Sequence, residues 1–214
     1  MRRNLPSTRP LSRPVEQVSP KVALHIVCEG INTEPQYFTD CVEHYTAGLV
    51  QLEIIPGAGV PDTLVRKAIE VRDELLRQKR RSPDSFTACF RVWAVFDRDE
   101  HPLVEESIAL ALANKIDVAF SDPCFEIWPI LHLINYGAQD GRHEVQRKLS
   151  ELMPNYEHDR GAIIDYNVIK DQFQDAYDRA TRLNDARINE NCPRGRPSTS
   201  VGDLVLKIKQ NGKR

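Results

Sequence analysis

An α/β fold with a mainly parallel, four-stranded sheet, flanked by helices and followed by a helical C-terminal extension, is what this sequence predicts. Three observations carry the prediction. Four short apolar segments have strand composition: VALHIVC (22–28), QLEIIP (51–56), RVWAVF (91–96) and IDVAFS (116–121). Each is followed by a segment with helical spacing, and a strand-helix alternation of this kind builds a parallel sheet. Past residue 138 the strand pattern stops and helical periodicity takes over.

The helices follow in order. Residues 33–48 place Tyr37, Phe38, Cys41 and Val42 on one face, with Thr33 in position to cap and Glu34 in the first turn. Residues 63–80 align Leu64, Ala68, Val71 and Leu75 until QKRRSPDS ends the pattern. LVEESIALALAN (103–114) is the third helix. FEIWPILHLINYG (125–137) begins a fourth, in which Pro129 either bends the axis or occupies the first turn. Residues 142–152 and 168–187 are the strongest helical stretches of the C-terminal part. NENCPRGRPSTS reads as a loop and 200–210 as a closing helix. The organisation expected is an Arg/Pro-rich flexible tail at 1–20, one domain at 21–210 divided into an α/β core (21–137) and a helical extension (138–210), and a short tail at 211–214.

Composition narrows the function. With 41% hydrophobic and 28% charged residues in 214, the chain has enough apolar material for a buried core. A formal charge of −2 argues against a generic nucleic-acid coat protein, although not against an enzyme whose acidic site recruits metal. The five cysteines include no CxxC pair, so neither a zinc ribbon nor a disulfide framework is indicated, and most are expected to be buried thiols in a reducing cytoplasm. No apolar run approaches the roughly 20 residues of a membrane span.

The chemistry-bearing segments lie at strand ends. HIVCEG ends an apolar strand at Glu29, and RVWAVFDRDEH ends another in Asp97-Arg98-Asp99. In open α/β sheets, ligands bind beyond the carboxyl ends of the strands. If the first and third strands are neighbours, Glu29, Asp97 and Asp99 converge, since residues two apart in an extended chain point the same way. Convergent carboxylates repel unless they are protonated or bind a hard cation such as Mg²⁺ (or Mn²⁺), which takes oxygen ligands and phosphate oxygens. Gly30 is expected to turn the backbone away from an incoming phosphate.

This arrangement resembles the Toprim domain, and more narrowly the RloB-like family. The segments that carry the resemblance are CEGINTEPQYF (28–38), FDRDEH (96–101), SDPCFEIWPILH (121–132) and RPSTSV (196–201). It implies a Toprim-like (Rossmann-like) sheet, with Glu29 as the Toprim glutamate and Asp97 and Asp99 as the metal pair. It also implies a Mg²⁺-dependent nuclease acting on DNA or RNA in a restriction-linked or antiphage module, beside an ABC/AAA-type ATPase. The chain has no G-x-x-x-x-G-K-[ST] motif, so any nucleotide-driven step belongs to such a partner. A competing reading is a non-catalytic nucleic-acid-binding or sensing subunit of that ATPase.

Other residues read two ways. Glu126, near the carboxyl edge, is either a further catalytic carboxylate or a first-turn acid complementing its helix dipole. His101 and His132 are either phosphate or proton-transfer groups or ordinary structural histidines. Thr33, Ser198 and Thr199 contact phosphate or cap helices. Two basic sets are candidate backbone tracks: Arg66 to Arg91, and Arg194, Arg196, Lys207, Lys209, Lys213 and Arg214. Trp93 and Trp128 are assigned to the core.

Overall fold

A computed structural model describes residues 22–81, 89–98, 103–158 and 161–212. The Arg/Pro-rich tail, Asp99, His101, Lys213 and Arg214 lie outside these. Among the described residues there are five strands and eight helices: β1 (Val22–Cys28), α1 (Thr33–Thr46), β2 (Val50–Ile55), α2 (Pro61–Arg81), β3 (Phe90–Asp97), α3 (Val104–Ala113), β4 (Asp117–Asp122), α4 (Ile127–Leu133), α5 (Arg142–Leu152), α6 (Tyr166–Ile169), α7 (Phe173–Asn189), β5 (Ser198–Thr199) and α8 (Val201–Asn211).

The sheet runs β2-β1-β3-β4-β5. The first four strands are parallel and β5 is antiparallel to β4. The sheet therefore has five strands where four are expected. The added strand is the residue pair Ser198–Thr199, opposite Asp122 and Ser121. It is too short for any period-two pattern, and Pro197 immediately before it reads as loop.

Side-chain alternation splits the core in two. Leu24, Ile26, Cys28, Trp93 and Val95 face α1 and the C-terminal helices. Val27, Val92, Ala94 and Phe96 face α2 and α3. Both tryptophans are buried, Trp128 donating its Nε1–H to the Tyr37 hydroxyl at 2.5 Å. The chain runs outward from β1 to β2, then returns through α2 to β3 on the other side of β1. The direction of winding thus reverses between β1 and β3, whose carboxyl ends form the topological switch point.

Local corrections have simple causes. Thr33 is the first helical residue, and Asn32 occupies the cap position without a side-chain cap bond. Pro129 sits in the first turn of α4, where its missing N–H has no intrahelical partner to lose, so no kink is required. The expected helix at 168–187 is divided into α6 and α7. Ser200 precedes α8, but its Oγ accepts from the backbone N–H of Phe120 at 2.9 Å and stitches the last helix to β4.

Candidate functional site

The switch point holds the site. Glu29 follows β1, and its backbone N–H donates to Val95 O at 3.0 Å, extending the β1–β3 ladder one residue past the strand. Asp97 is the last residue of β3 and is buried. Strand alternation after Trp93 and Val95 turns its carboxylate toward the α1 side. The backbone N–H of Asp97 donates to Glu29 Oε2 at 3.3 Å.

Two more acids enter the same cleft, of about 310 Å³, whose walls include Glu29, Glu34, Asp97, Glu126, Arg142 and His158. Glu34 is buried although it belongs to the first turn of a helix. It folds back to accept the Gly30 N–H at 3.3 Å. A Cβ on Gly30 would stand 2.1 Å from Glu34 Oε2. Gly30 is thus needed for the close approach of that carboxylate, and its φ is not in the left-handed region. Glu126, at the N-cap of α4, is buried and accepts from Tyr156 Oη at 2.6 Å and Gln146 Nε2 at 3.4 Å, with His158 Nδ1 also at 3.4 Å.

The electrostatics follow from this crowding. Burial pushes the Asp97 carboxyl well above its ordinary range, and the charges of Glu34, Glu126 and Glu29 push it further; Arg142, with Nη2 at 4.0 Å, opposes them. Burial likewise raises Glu34 to about 7, with Glu126 and Glu29 adding to it against its backbone hydrogen bonds. Burial acts on Glu126 in the same direction, but the hydrogen bonds from His158, Tyr156 and Cys124 together outweigh it and hold Glu126 at about 2. One carboxyl is therefore held toward its ionised form beside two that resist ionisation.

Of the residues singled out in the sequence, Glu29, Asp97, Glu126 and Thr33 line this cleft; Asp99 and His101 lie outside the described residues. His132 is elsewhere: it is buried against Trp128, with Nδ1 3.0 Å from Ile169 O, and burial lowers it to about 4. Ser198 and Thr199 are buried in β5, Thr199 Oγ1 being 3.0 Å from Ser121 Oγ. Several α2 cations face acids on their own helix, Arg66 with Asp62, Lys67 with Glu70 and Arg77 with Glu74, while Arg91 pairs with Asp117. Lys209 lies over the rings of Phe173 and Tyr45.

Sequence reasoning missed Glu34 as a site residue, and with it Arg142, Tyr156 and His158. Glu34 has the same strand-end neighbourhood as Glu29, five residues on, and that proximity was the available signal. The other three come from beyond residue 138, and only tertiary packing brings them in.

The donor set is one a hard dication accepts: four carboxylates opposed by one guanidinium and one imidazole. Among the described residues, no three His, Cys, Asp or Glu side chains come close enough together to hold a metal ion. Mg²⁺ is commonly held by only one or two carboxylates, with water and substrate phosphate completing its shell. The chemistry of the donors therefore fits such an ion, although the described residues alone do not gather three ligands for it. Among the described residues no helix is long and apolar enough to cross a membrane.

No curated protein and no solved structure matches the chain. The model of the RloB-like protein family matches residues 24–208, a span that contains every strand but the first two residues of β1 and every carboxylate of the cleft. This chain belongs to the RloB-like protein family.

Proposed function

We propose that the protein is a divalent-cation-dependent phosphodiesterase acting on DNA or RNA, with a Toprim-like arrangement of acids. The observation that carries this reading is the burial of Asp97 among three glutamates at the switch point of the sheet. Burying a carboxylate beside others opposes folding unless a cation or proton compensates. Such sites persist where the charge has a use.

Glu29 and Asp97 would hold Mg²⁺ or Mn²⁺, with Glu34 beside them and Asp99 adjoining in sequence. The ion, when bound, supplies charge stabilisation at the phosphoryl group and a more acidic water. The chain's own residues do the rest. Glu126 is fixed by Tyr156 and stays ionised, so it accepts a hydrogen bond and orients a water molecule. Glu34, poised near neutrality, takes or returns a proton. Arg142 at the mouth places positive charge where a phosphate enters. In keeping with the family, the proposed setting is a restriction-linked or antiphage module with an ATPase partner.

The test is incubation of purified protein with DNA and tRNA in Mg²⁺ or Mn²⁺, beside Glu29→Gln and Asp97→Asn. Cleavage by the native chain that both variants lose supports the reading. Cleavage that survives in both contradicts it.

One observation favours a second reading, a sensing subunit that binds nucleic acid without cutting it: no three potential ligands are gathered among the described residues. Under that reading, the carboxylate variants form the same complex with an ATPase partner as the native chain, and no cleavage accompanies it.

A further inference from the structure

A second charged cluster occupies the same end of the sheet on its opposite face. Arg98 follows Asp97 directly, and strand alternation sends its side chain the other way, over the ring of Phe120 at 5.5 Å. There it meets Asp122, the last residue of β4, with Nε 2.7 Å from Oδ2. Arg196 takes the other oxygen of the same carboxylate, Nε to Oδ1 at 2.8 Å. Arg98 also reaches Glu105 of α3 at 3.0 Å, and Arg194 holds the second oxygen of Glu105 through Nε at 3.1 Å. Three guanidiniums therefore share two carboxylates.

The acids in this cluster organise the cations more than they neutralise them. Asp122 has only 4% of its side chain exposed, whereas Arg194 and Arg196 expose 44% and 40%. Buried Asp122 fixes Arg98 and Arg196 from below, Arg194 rests on the more exposed Glu105, and the outer edges of Arg194 and Arg196 are left to solvent. A guanidinium has five N–H donors. Among the described residues, Arg196 uses only its Nε–H, and its two terminal nitrogens have no hydrogen-bond partner. The backbone agrees: Asn191 and Arg194 both take positive φ, 55° and 63°, in the segment that delivers Arg194 and Arg196 to the strand end. Planar, fixed guanidinium forks match phosphate oxygens.

We propose that Arg98, Arg194 and Arg196, anchored on Asp122 and Glu105, form a phosphate clamp that holds the backbone of a nucleic-acid strand as it crosses the carboxyl edge of the sheet toward the carboxylate cleft. The clamp rests on the phosphodiesterase reading for its substrate class. It supplies what an acidic cleft lacks, since a polyanion approaching four carboxylates needs an attractive surface nearby. It also gives a local positive field to a chain whose net charge is −2.

The test is binding of a fluorescent single-stranded oligonucleotide, followed by anisotropy across a salt series, in an Asp97→Asn background so that the strand is not cut. Arg194→Gln with Arg196→Gln should weaken binding about tenfold and lower the salt slope by about 0.7 for each phosphate that is no longer neutralised. Arg196 supports a buried acid, so Arg194→Gln alone, whose partner Glu105 is exposed, serves as the milder variant and should lower the slope by one such step. Glu105→Gln should tighten binding, which a purely structural ion-pair network would not do. Unchanged affinity and slope in the arginine variants, or no oligonucleotide binding by either the native chain or the background variant, would overturn the clamp. Failure of the two proposals is separable: arginine-dependent binding without metal-dependent cleavage by the native chain leaves the clamp and removes the catalytic reading, and cleavage with arginine-indifferent binding does the reverse.

Discussion

Asp97 donates its backbone N–H to Oε2 of Glu29 across 3.3 Å, so the ends of two neighbouring strands are joined through one of the acids they carry. The main chain of Asp97 positions Glu29, while the side chain of Asp97 is an acid whose ionisation burial and the neighbouring glutamates oppose. Position and charge can therefore be varied separately.

Asp97→Asn keeps that backbone bond and removes the ionisable group. The metal-free variant should be more stable than the native chain, with Tm higher by ~2–4 °C for each kcal/mol of relieved repulsion. Cleavage should fall by more than ~100-fold, the upper range for losing even an outer-sphere partner of a metal. Thermal denaturation and single-turnover cleavage, measured on the same preparation, check the pair. A variant both less stable and fully active would contradict the assignment.

Glu34 gives the metal-free protein a pH dependence. Its folded value, about 7, lies above the ordinary 4.5. The folded form thus holds a proton that the unfolded chain has released at pH values between the two. The contribution of Glu34 is fully present below pH 4.5. It is lost as pH rises to about 7, with a total on the order of 3 kcal/mol. Urea titrations of native protein and Glu34→Gln across this range should diverge with that sign. Mg²⁺ should stabilise the native chain more at about pH 8 than at about pH 5, because protons and the cation compensate the same charge.

Gly30→Ala tests the close approach. The added methyl would overlap the Glu34 carboxylate, so that side chain must leave its place over the Gly30 N–H. The expected cost is about 1–3 kcal/mol, as for other overpacked sites. Metal affinity and cleavage should both drop. Ala carries no backbone strain here, because Gly30 is not in the left-handed region.

Tyr156→Phe removes the 2.6 Å hydrogen bond to Glu126 and leaves a buried carboxylate short of a donor. A destabilisation of about 1–3 kcal/mol is expected. The acid limb of the cleavage profile should move to higher pH, since the removed bond favoured the ionised form. His132→Gln serves as the contrast: His132 bonds Ile169 away from the cleft, so stability should change and the pH profile should not.

Much of the sheet is legible in the sequence because strand composition and helical spacing are local. β1 emerges at its true bounds, and the other three parallel strands lie within a residue or two of theirs. Glu29 and Asp97 are legible for the same reason: each ends a strongly apolar run, and α/β topology brings such ends together. Glu34 is harder to read, because a first-turn glutamate is ordinary on an exposed helix, and only the Gly30 contact shows that this one is folded inward. Arg142, Tyr156 and His158 follow no local rule. They reach Glu126 and Asp97 because α5 and the segment after it share the core of β1 and α1. β5 is two residues long, below the length at which any periodicity exists.

The central claim is that the acids at the β1–β3 switch point bind a divalent cation. Isothermal titration of Mg²⁺ and Mn²⁺ into native protein and into Asp97→Asn tests it most directly. Saturable binding by the native chain, lost in the variant while it remains folded, is expected. Binding of equal strength in both, or in neither, would contradict it.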